Sequence, residues 1–271
     1  MNHYRVKPKS RVRLKDHPAS DTGAFTASAE VTDRVTALKV RLEALQERLY
    51  AEGTRSVLVV LQGIDTAGKD GTIRHVMTGL NPQGCIVASF KAPTAPEQAH
   101  DFLWRVHAAC PPRGYIGIFN RSHYEDVLTT RVHGQLSDAQ AARRFGEIRA
   151  FESLLTENGT RVLKFFLHIS KDEQKARLLA RIDQPEKRWK VREQDLTERS
   201  HWKAYTAAFE EALAATSTRE APWFIVPANH KWYRNLVVAD LLVHALDDMD
   251  PQPPDPQTLN WARLRKAVAQ S

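Results

Sequence analysis

Cysteine is scarce: 271 residues carry two, Cys85 and Cys110, neither in a C-x-x-C pair nor beside a histidine cluster of ligand spacing. That argues against a disulfide framework and against structural zinc, so both thiols are expected in the core. Long apolar runs are missing too, none approaching the roughly 20 residues that span a bilayer, and no membrane partner is expected. The N-terminus, MNHYRVKPKSRVRLKD, is basic but no apolar signal core follows it, so the expected location is cytoplasmic. There is no internal repeat. Low complexity is confined to the proline-rich tail from Asp250 to Gln257, expected to be an extended surface segment. Acidic residues are outnumbered, 32 against 39 Lys and Arg, and the net charge of +7 favours an anionic partner without identifying it.

What the chain does have is SVLVVLQGIDTAGKDG, Ser56 to Gly71, where a β-branched and aliphatic run ends in a glycine-bounded loop carrying Lys69. The spacing from Gly63 to Gly68-Lys69 fits G-x-x-x-x-G-K, a loop whose backbone N–H groups and lysine surround phosphate oxygens. Gly63, Ala67, Gly68, Asp70 and Gly71 are therefore expected to line the phosphate. The next position breaks the common pattern, because Asp70 stands where Ser or Thr ordinarily binds Mg²⁺. A second carboxylate, Asp65, lies inside the loop. Carboxylates repel phosphates unless a cation intervenes, so Mg²⁺ is the expected cofactor and Asp65 its expected ligand. The structural alternative is a plain strand-turn-helix with Asp65 in a turn hydrogen bond and Lys69 solvated.

Further strand-like runs occur at Cys85 to Phe90, Tyr115 to Asn120, Val162 to Ile169 and Trp223 to Val226. Helical patterns cover Ala27 to Tyr50, Glu97 to Ala108 and Ala139 to Leu155; the first, with Val31, Val35, Leu38, Val40, Leu42, Leu45 and Leu49, reads as a packing helix outside the site. Alternating strands and helices imply an α/β fold with a parallel sheet covered on both faces. Ligands bind beyond the carboxyl ends of such strands, which gathers the phosphate loop, Lys91 and the segment from Asn120 to Asp126 around one crevice. One domain is expected, with residues 1–54 as an N-terminal extension and helix, 55–249 as the core and 250–271 as a tail.

In YIGIFNRSHYEDVLTTRV, Tyr115 to Val132, an apolar strand empties into polar residues. Glu125 or Asp126 is expected to supply a further carboxylate, directly or through water, and the sequence does not choose between them. Arg121 is the expected phosphate contact, since a guanidinium holds two oxygens; its alternative is an ion pair with a nearby acid. His123 and Tyr124 are assigned packing roles. Around Trp189, the bases Lys187, Arg188, Lys190 and Arg192, then Arg199 and Lys203, follow Pro185, which interrupts a helix. A mobile lid at about 183–203 would use such charges over phosphates; a solvated helix face is the alternative. Arg74, one turn past Lys69, extends the same basic track.

Together these segments resemble the polyphosphate kinase 2 family, over Tyr4 to Leu236. The resemblance is carried by GIDTAGKDG at Gly63 to Gly71, SFKAPT at Ser89 to Thr94, HDFLWRVH at His100 to His107, FNRSHYEDVL at Phe119 to Leu128 and KRWK at Lys187 to Lys190. That family's loop has the form G-x-D-x-x-G-K-[DG], which accounts for Asp65 and Asp70. The resemblance implies a three-layer P-loop kinase-like fold with a helical lid and an N-terminal helical extension. It also implies transfer between inorganic polyphosphate and nucleotides, and a homo-oligomer. Asn120 stands where many members carry Asp, which is similar to the subgroup called class III and implies that both AMP and ADP are phosphorylated, with ATP as the final product. The expected roles follow. Asp65 holds Mg²⁺; Lys69 and Arg121 neutralise the transferred group, with Asp126 as a further catalytic candidate. Arg74, Lys187, Arg188, Lys190, Arg199 and Lys203 track the polymer. Lys91, Asn120 and Glu125 place the nucleotide. An ATP-dependent nucleotide kinase shares the loop-and-lid logic and is the nearer alternative; a nucleic-acid-binding protein is the weaker one, because it leaves Asp65 unexplained.

Overall fold

The computed structural model describes residues 1–254 and 259–271. Of the proline-rich stretch, Pro251 is buried and 252–254 are exposed, while 255–257 lie outside the described residues. The five strands are β1 (Ser56–Gln62), β2 (Cys85–Ser89), β3 (Ile116–Asn120), β4 (Thr160–His168) and β5 (Trp223–Pro227). They form one sheet in the order β2-β3-β1-β4-β5, every pairing parallel. β1 sits centrally and is buried along its whole length, as a Val and Leu run in a two-sided parallel sheet requires. Alternate residues serve opposite layers: Val57, Val59 and Leu61 face one core, Leu58 and Val60 the other.

The helices are α1 (Thr32–Glu52), α2 (Lys69–Val76), α3 (Ala95–Gln98), α4 (Trp104–Ala108), α5 (Glu125–Val132), α6 (Asp138–Glu157), α7 (Lys171–Asp183), α8 (Glu193–Ser200), α9 (Trp202–Thr216), α10 (Lys231–Met249) and α11 (Trp261–Ala269). Apolar residues of α1, α2 and α10 fill the first core and those of α5, α6 and α9 the second, giving a three-layer P-loop kinase-like fold. α1 buries Leu42, Leu45 and Leu49, but Val40, expected in the packing stripe, is 64% exposed. Among the described residues, no helix is long and apolar enough to cross a membrane.

Two expectations change in detail. The helical pattern at Glu97 to Ala108 breaks into α3 and α4, because the Asp101 side chain accepts the Leu103 N–H at 2.9 Å and offers the backbone a turn in place of a continuous helix. The cysteines are free and only half-buried rather than core residues; burial still pushes the Cys85 thiol up to about 11 and Cys110 up to about 12.

Parallel register aligns the strand ends that matter. Leu61 lies level with Asn120 on one side and Phe165 on the other, and Ser89 is level with Asn120. The chain leaves β1 toward the β2 edge and leaves β3 toward β4, so their carboxyl ends flank a crevice. Beyond β4, α7 stops at Asp183 ahead of Pro185; a 3-10 turn at Pro185–Lys190 and then α8 follow.

Candidate phosphoryl-transfer site

The loop after β1 admits only small residues at two points. A Cβ on Gly63 would come within 2.9 Å of both the Ala67 Cβ and the Leu167 carbonyl oxygen. Gly68 adopts φ +104°, and a Cβ there would meet the Arg234 guanidinium at 1.9 Å. α2 begins at Lys69, so its unpaired N–H groups and positive dipole end face the loop. The Lys69 ammonium folds back and donates to the Gly63 carbonyl at 2.7 Å. Burial pushes its pKa down, with Arg121 adding to the effect against Asp65, Glu125 and Asp70.

β3 delivers the facing wall. Its last residue, Asn120, donates its side-chain amide to Asp70 at 2.7 Å. Arg121 follows at φ +63°, a left-handed conformation that costs a non-glycine residue about 1–2 kcal/mol. The backbone there is held by its N–H donating to the Leu61 carbonyl at 3.1 Å. The Arg121 guanidinium donates to Asp65 at 2.9 Å and to Glu125 at 3.5 Å. Burial opposes that charge, and Glu125 and Asp65 more than offset it. Glu125 is further fixed by Thr129, whose hydroxyl donates at 2.9 Å.

Asp65, Lys69, Asp70, Asn120, Arg121 and Glu125 thus meet in one place. Asp126 faces the other way, accepting from Arg105 at 3.4 Å, while Arg105 also donates to the Lys91 carbonyl at 2.9 Å. Burial pushes the Asp126 carboxyl up, against the pull of Arg105 and Arg144. The Lys91 side chain is exposed, as is Arg74. In the segment expected to form a lid, Lys187 bonds Gln184, Arg188 donates to the Ile182 carbonyl at 2.8 Å, and Lys190 lies 4.9 Å over the Trp189 ring. Trp189 itself is 77% exposed and Lys203 is exposed. Arg199 is already engaged, donating to the Lys171 carbonyl at 2.8 Å and to Gln174 at 2.7 Å, and Gln174 donates to the Asp65 carbonyl at 3.2 Å. Arg199 therefore connects to the loop backbone through α7.

Among the described residues no cluster of three or more His, Cys, Asp or Glu forms a metal cage. Mg²⁺ does not need one, since it keeps waters and commonly takes only one or two carboxylates plus substrate phosphates. Asp65, partly exposed and inside the loop, suits that donor set.

The family model described as Polyphosphate kinase 2 (PPK2) matches residues 26–254. The chain belongs to the polyphosphate kinase 2 family. Relatives include an "AMP/ADP-polyphosphate phosphotransferase" of Meiothermus ruber, 51% identical over 259 residues, covering 95% of this chain and 97% of the relative. An "ADP-polyphosphate phosphotransferase" of Rhodopseudomonas palustris is 42% identical, covering 93% of this chain and 91% of the relative. A crystal structure of polyphosphate kinase 2 from Arthrobacter aurescens TC1 superposes with a TM-score of 0.95 at 43% identity, over 99% of this chain and 96% of that one.

Sequence reading of this polyphosphate kinase missed what stands behind the site. His123 and Tyr124 are fully buried beside Glu152 and Lys164, which pair at 2.5 Å. Tyr124 donates to Glu152 at 2.8 Å, and Lys164 donates to the Tyr124 hydroxyl at 3.0 Å and to the Thr216 carbonyl at 2.8 Å. A lysine inside the apolar run VLKFFLHI was the available signal. Arg177 and Arg234, which contact the loop carbonyls, gave none, because charged residues on helices are ordinarily solvated.

Proposed function

We propose that this polyphosphate kinase transfers the terminal phosphoryl group of inorganic polyphosphate to AMP and to ADP, forming ADP and ATP, by in-line displacement with Mg²⁺. The observation that carries the reading is the Asp65–Arg121 pair at 2.9 Å, set beside a loop whose lysine is folded over its own carbonyl. The acceptor range is supported by the AMP/ADP name of the 51% identical relative and by Asn120, which brings no charge to the acceptor side.

A nucleotide phosphate oxygen attacks the terminal phosphorus while the bond to the bridging oxygen breaks, and the shortened polymer leaves with the electron pair. Both reactants are anionic, so charge neutralisation and alignment dominate the barrier. N–H groups of Gly63, Gly68, Asp70 and Gly71 hold the phosphate, while the Ala67 N–H donates to the Ile64 carbonyl at 3.0 Å and shapes the loop; Lys69 and Arg121 neutralise the group in flight. Asp65 would hold Mg²⁺, which would supply Lewis-acid charge to phosphoryl transfer. Asn120, Glu125 and the exposed Lys91 place the nucleotide. Asp126 contributes from behind by fixing Arg105 against the Lys91 backbone. Arg74, Lys187, Arg188, Lys190 and Lys203 follow the polymer, and Arg199 anchors the lid to α7.

The proposal extends to a single working unit of extension, core, lid and tail, a cytoplasmic location, and a homo-oligomer in which α1, with Val40 exposed, takes part. Light scattering on the purified protein tests the last point. The reaction is tested by incubating protein, Mg²⁺, polyphosphate and either AMP or ADP, without ATP, and separating the nucleotides. ADP followed by ATP from AMP supports the full reading, once contaminating adenylate kinase is excluded; ATP from ADP alone removes AMP from the acceptors. Transfer only from ATP would mean a conventional nucleotide kinase.

A further inference from the structure

Two arginines stand behind the phosphate loop, and their surroundings differ. Arg177, on α7, donates to the Thr66 and Ala67 carbonyls at 2.9 and 3.1 Å and to the Ala228 and Asn229 carbonyls at 2.6 and 2.9 Å. Its charge is matched by Glu173 at 2.7 Å. Arg234, in the first turn of α10, is 1% exposed. One amino group makes a long contact of 3.5 Å to the Ala67 carbonyl, and the rest of its fork goes to the neutral Asn235 side-chain oxygen at 3.2 and 2.8 Å. Among the described residues no carboxylate pairs with it. Burial, with Arg177 beside it, pulls its pKa down to about 10, which leaves it charged at neutral pH.

A buried cation without a counterion is costly unless an anion arrives. The anion site is close. Cβ positions built on Gly68 and Gly71 lie 1.9 and 3.4 Å from the two amino groups of Arg234, so the guanidinium packs directly against the loop backbone. Arg177 and Arg234 both engage the Ala67 carbonyl, so that oxygen faces the two guanidinium groups.

We propose that Arg234 is a positioning residue whose counterion is the phosphate bound on the opposite face of the loop: it turns the Ala67 carbonyl outward and lends the anion site a fixed, buried positive charge. The inference rests on the phosphate-loop reading and not on which nucleotide accepts the phosphoryl group. A merely structural arginine would stabilise the empty protein. This one trades stability of the empty protein for anion affinity.

The test compares the full chain with Arg234→Met and Arg234→Lys, using thermal unfolding with and without tripolyphosphate and steady-state KM and kcat with polyphosphate. Arg234→Met is expected to unfold at the same or a higher temperature without ligand and to bind tripolyphosphate about tenfold more weakly, with KM for polyphosphate raised to match and kcat changed less. Arg234→Lys is expected to restore most of the affinity. A lower unfolding temperature for Arg234→Met with unchanged tripolyphosphate affinity overturns the proposal, as does equal weakening in both variants, which would make shape and not charge the cause. Wild-type protein that fails to bind tripolyphosphate removes the loop reading and this inference together. Normal binding without phosphorylation of AMP or ADP removes only the proposed reaction.

Discussion

Replacing Glu152 by Gln strips the counter-charge from Lys164 while keeping the volume of the side chain. Lys164 is wholly buried, and its remaining acceptors are the neutral Tyr124 hydroxyl and Thr216 carbonyl. Breaking one partner of such a pair costs about 3–5 kcal/mol, a large share of the ~5–15 kcal/mol that holds a domain folded. At about 2–4 °C per kcal/mol for a chain of this size, the unfolding temperature should fall by roughly 6–20 °C. Lys164→Met combined with the same change should recover most of that loss, because no charge is then left stranded. The pH dependence has a definite sign. Burial opposes ionisation of Glu152, but Lys164 and His123 more than offset it, so the carboxyl lies below its ordinary 4.5. A depressed carboxyl contributes stability that is present above the unfolded value and lost as pH falls through the folded one. The gap between wild type and variant should therefore hold from neutral pH down to about 4.5 and close below it. Chemical denaturation across pH measures this, and a change smaller than about 1 kcal/mol at neutral pH would refute the reasoning. Because Tyr124 and His123 hang the Asn120 to Asp126 turn on this pair, kcat should also drop well below the unfolding range.

Other outcomes follow from the site itself. Arg121→Ala should lower kcat on the order of 10³-fold with little change in unfolding temperature, since it removes charge facing the transferred group; an effect on stability alone would count against that role. Gly68→Ala forces a side chain at φ +104° into Arg234 and should cost at least about 1–2 kcal/mol along with phosphate affinity, read by denaturation and tripolyphosphate binding. Asp65→Asn should raise the Mg²⁺ concentration for half-maximal rate, and an unchanged Mg²⁺ titration would place the ion elsewhere. Raising ionic strength should increase KM for polyphosphate more steeply than KM for the nucleotide, because a polymer engages many cations at once; equal slopes would argue against a basic track.

Much of this was legible because it depends on local order. The run SVLVVLQ and the spacing of Gly63, Gly68 and Lys69 dictate a buried strand feeding a phosphate loop, and the five strands sit where β-branched and aromatic runs placed them. Pro185 marked where α7 gives way to the 3-10 turn. What was hidden depends on distant partners. Nothing near Asp126 tells that Arg105 will turn it away from Asp65, and Val40 reads like its neighbours until α1 is packed on α10. Arg177, Gln174 and Arg234 reach the loop from helices more than 100 positions later in the chain, so only the folded arrangement joins them to it.

The most direct measurement compares wild type with Lys69→Met on AMP, Mg²⁺ and polyphosphate, without ATP, followed by chromatography. The account predicts ADP and then ATP from wild type and a loss on the order of 10³-fold in the variant, which should keep its unfolding temperature. Equal rates from both proteins, or product only when ATP is the donor, would contradict it.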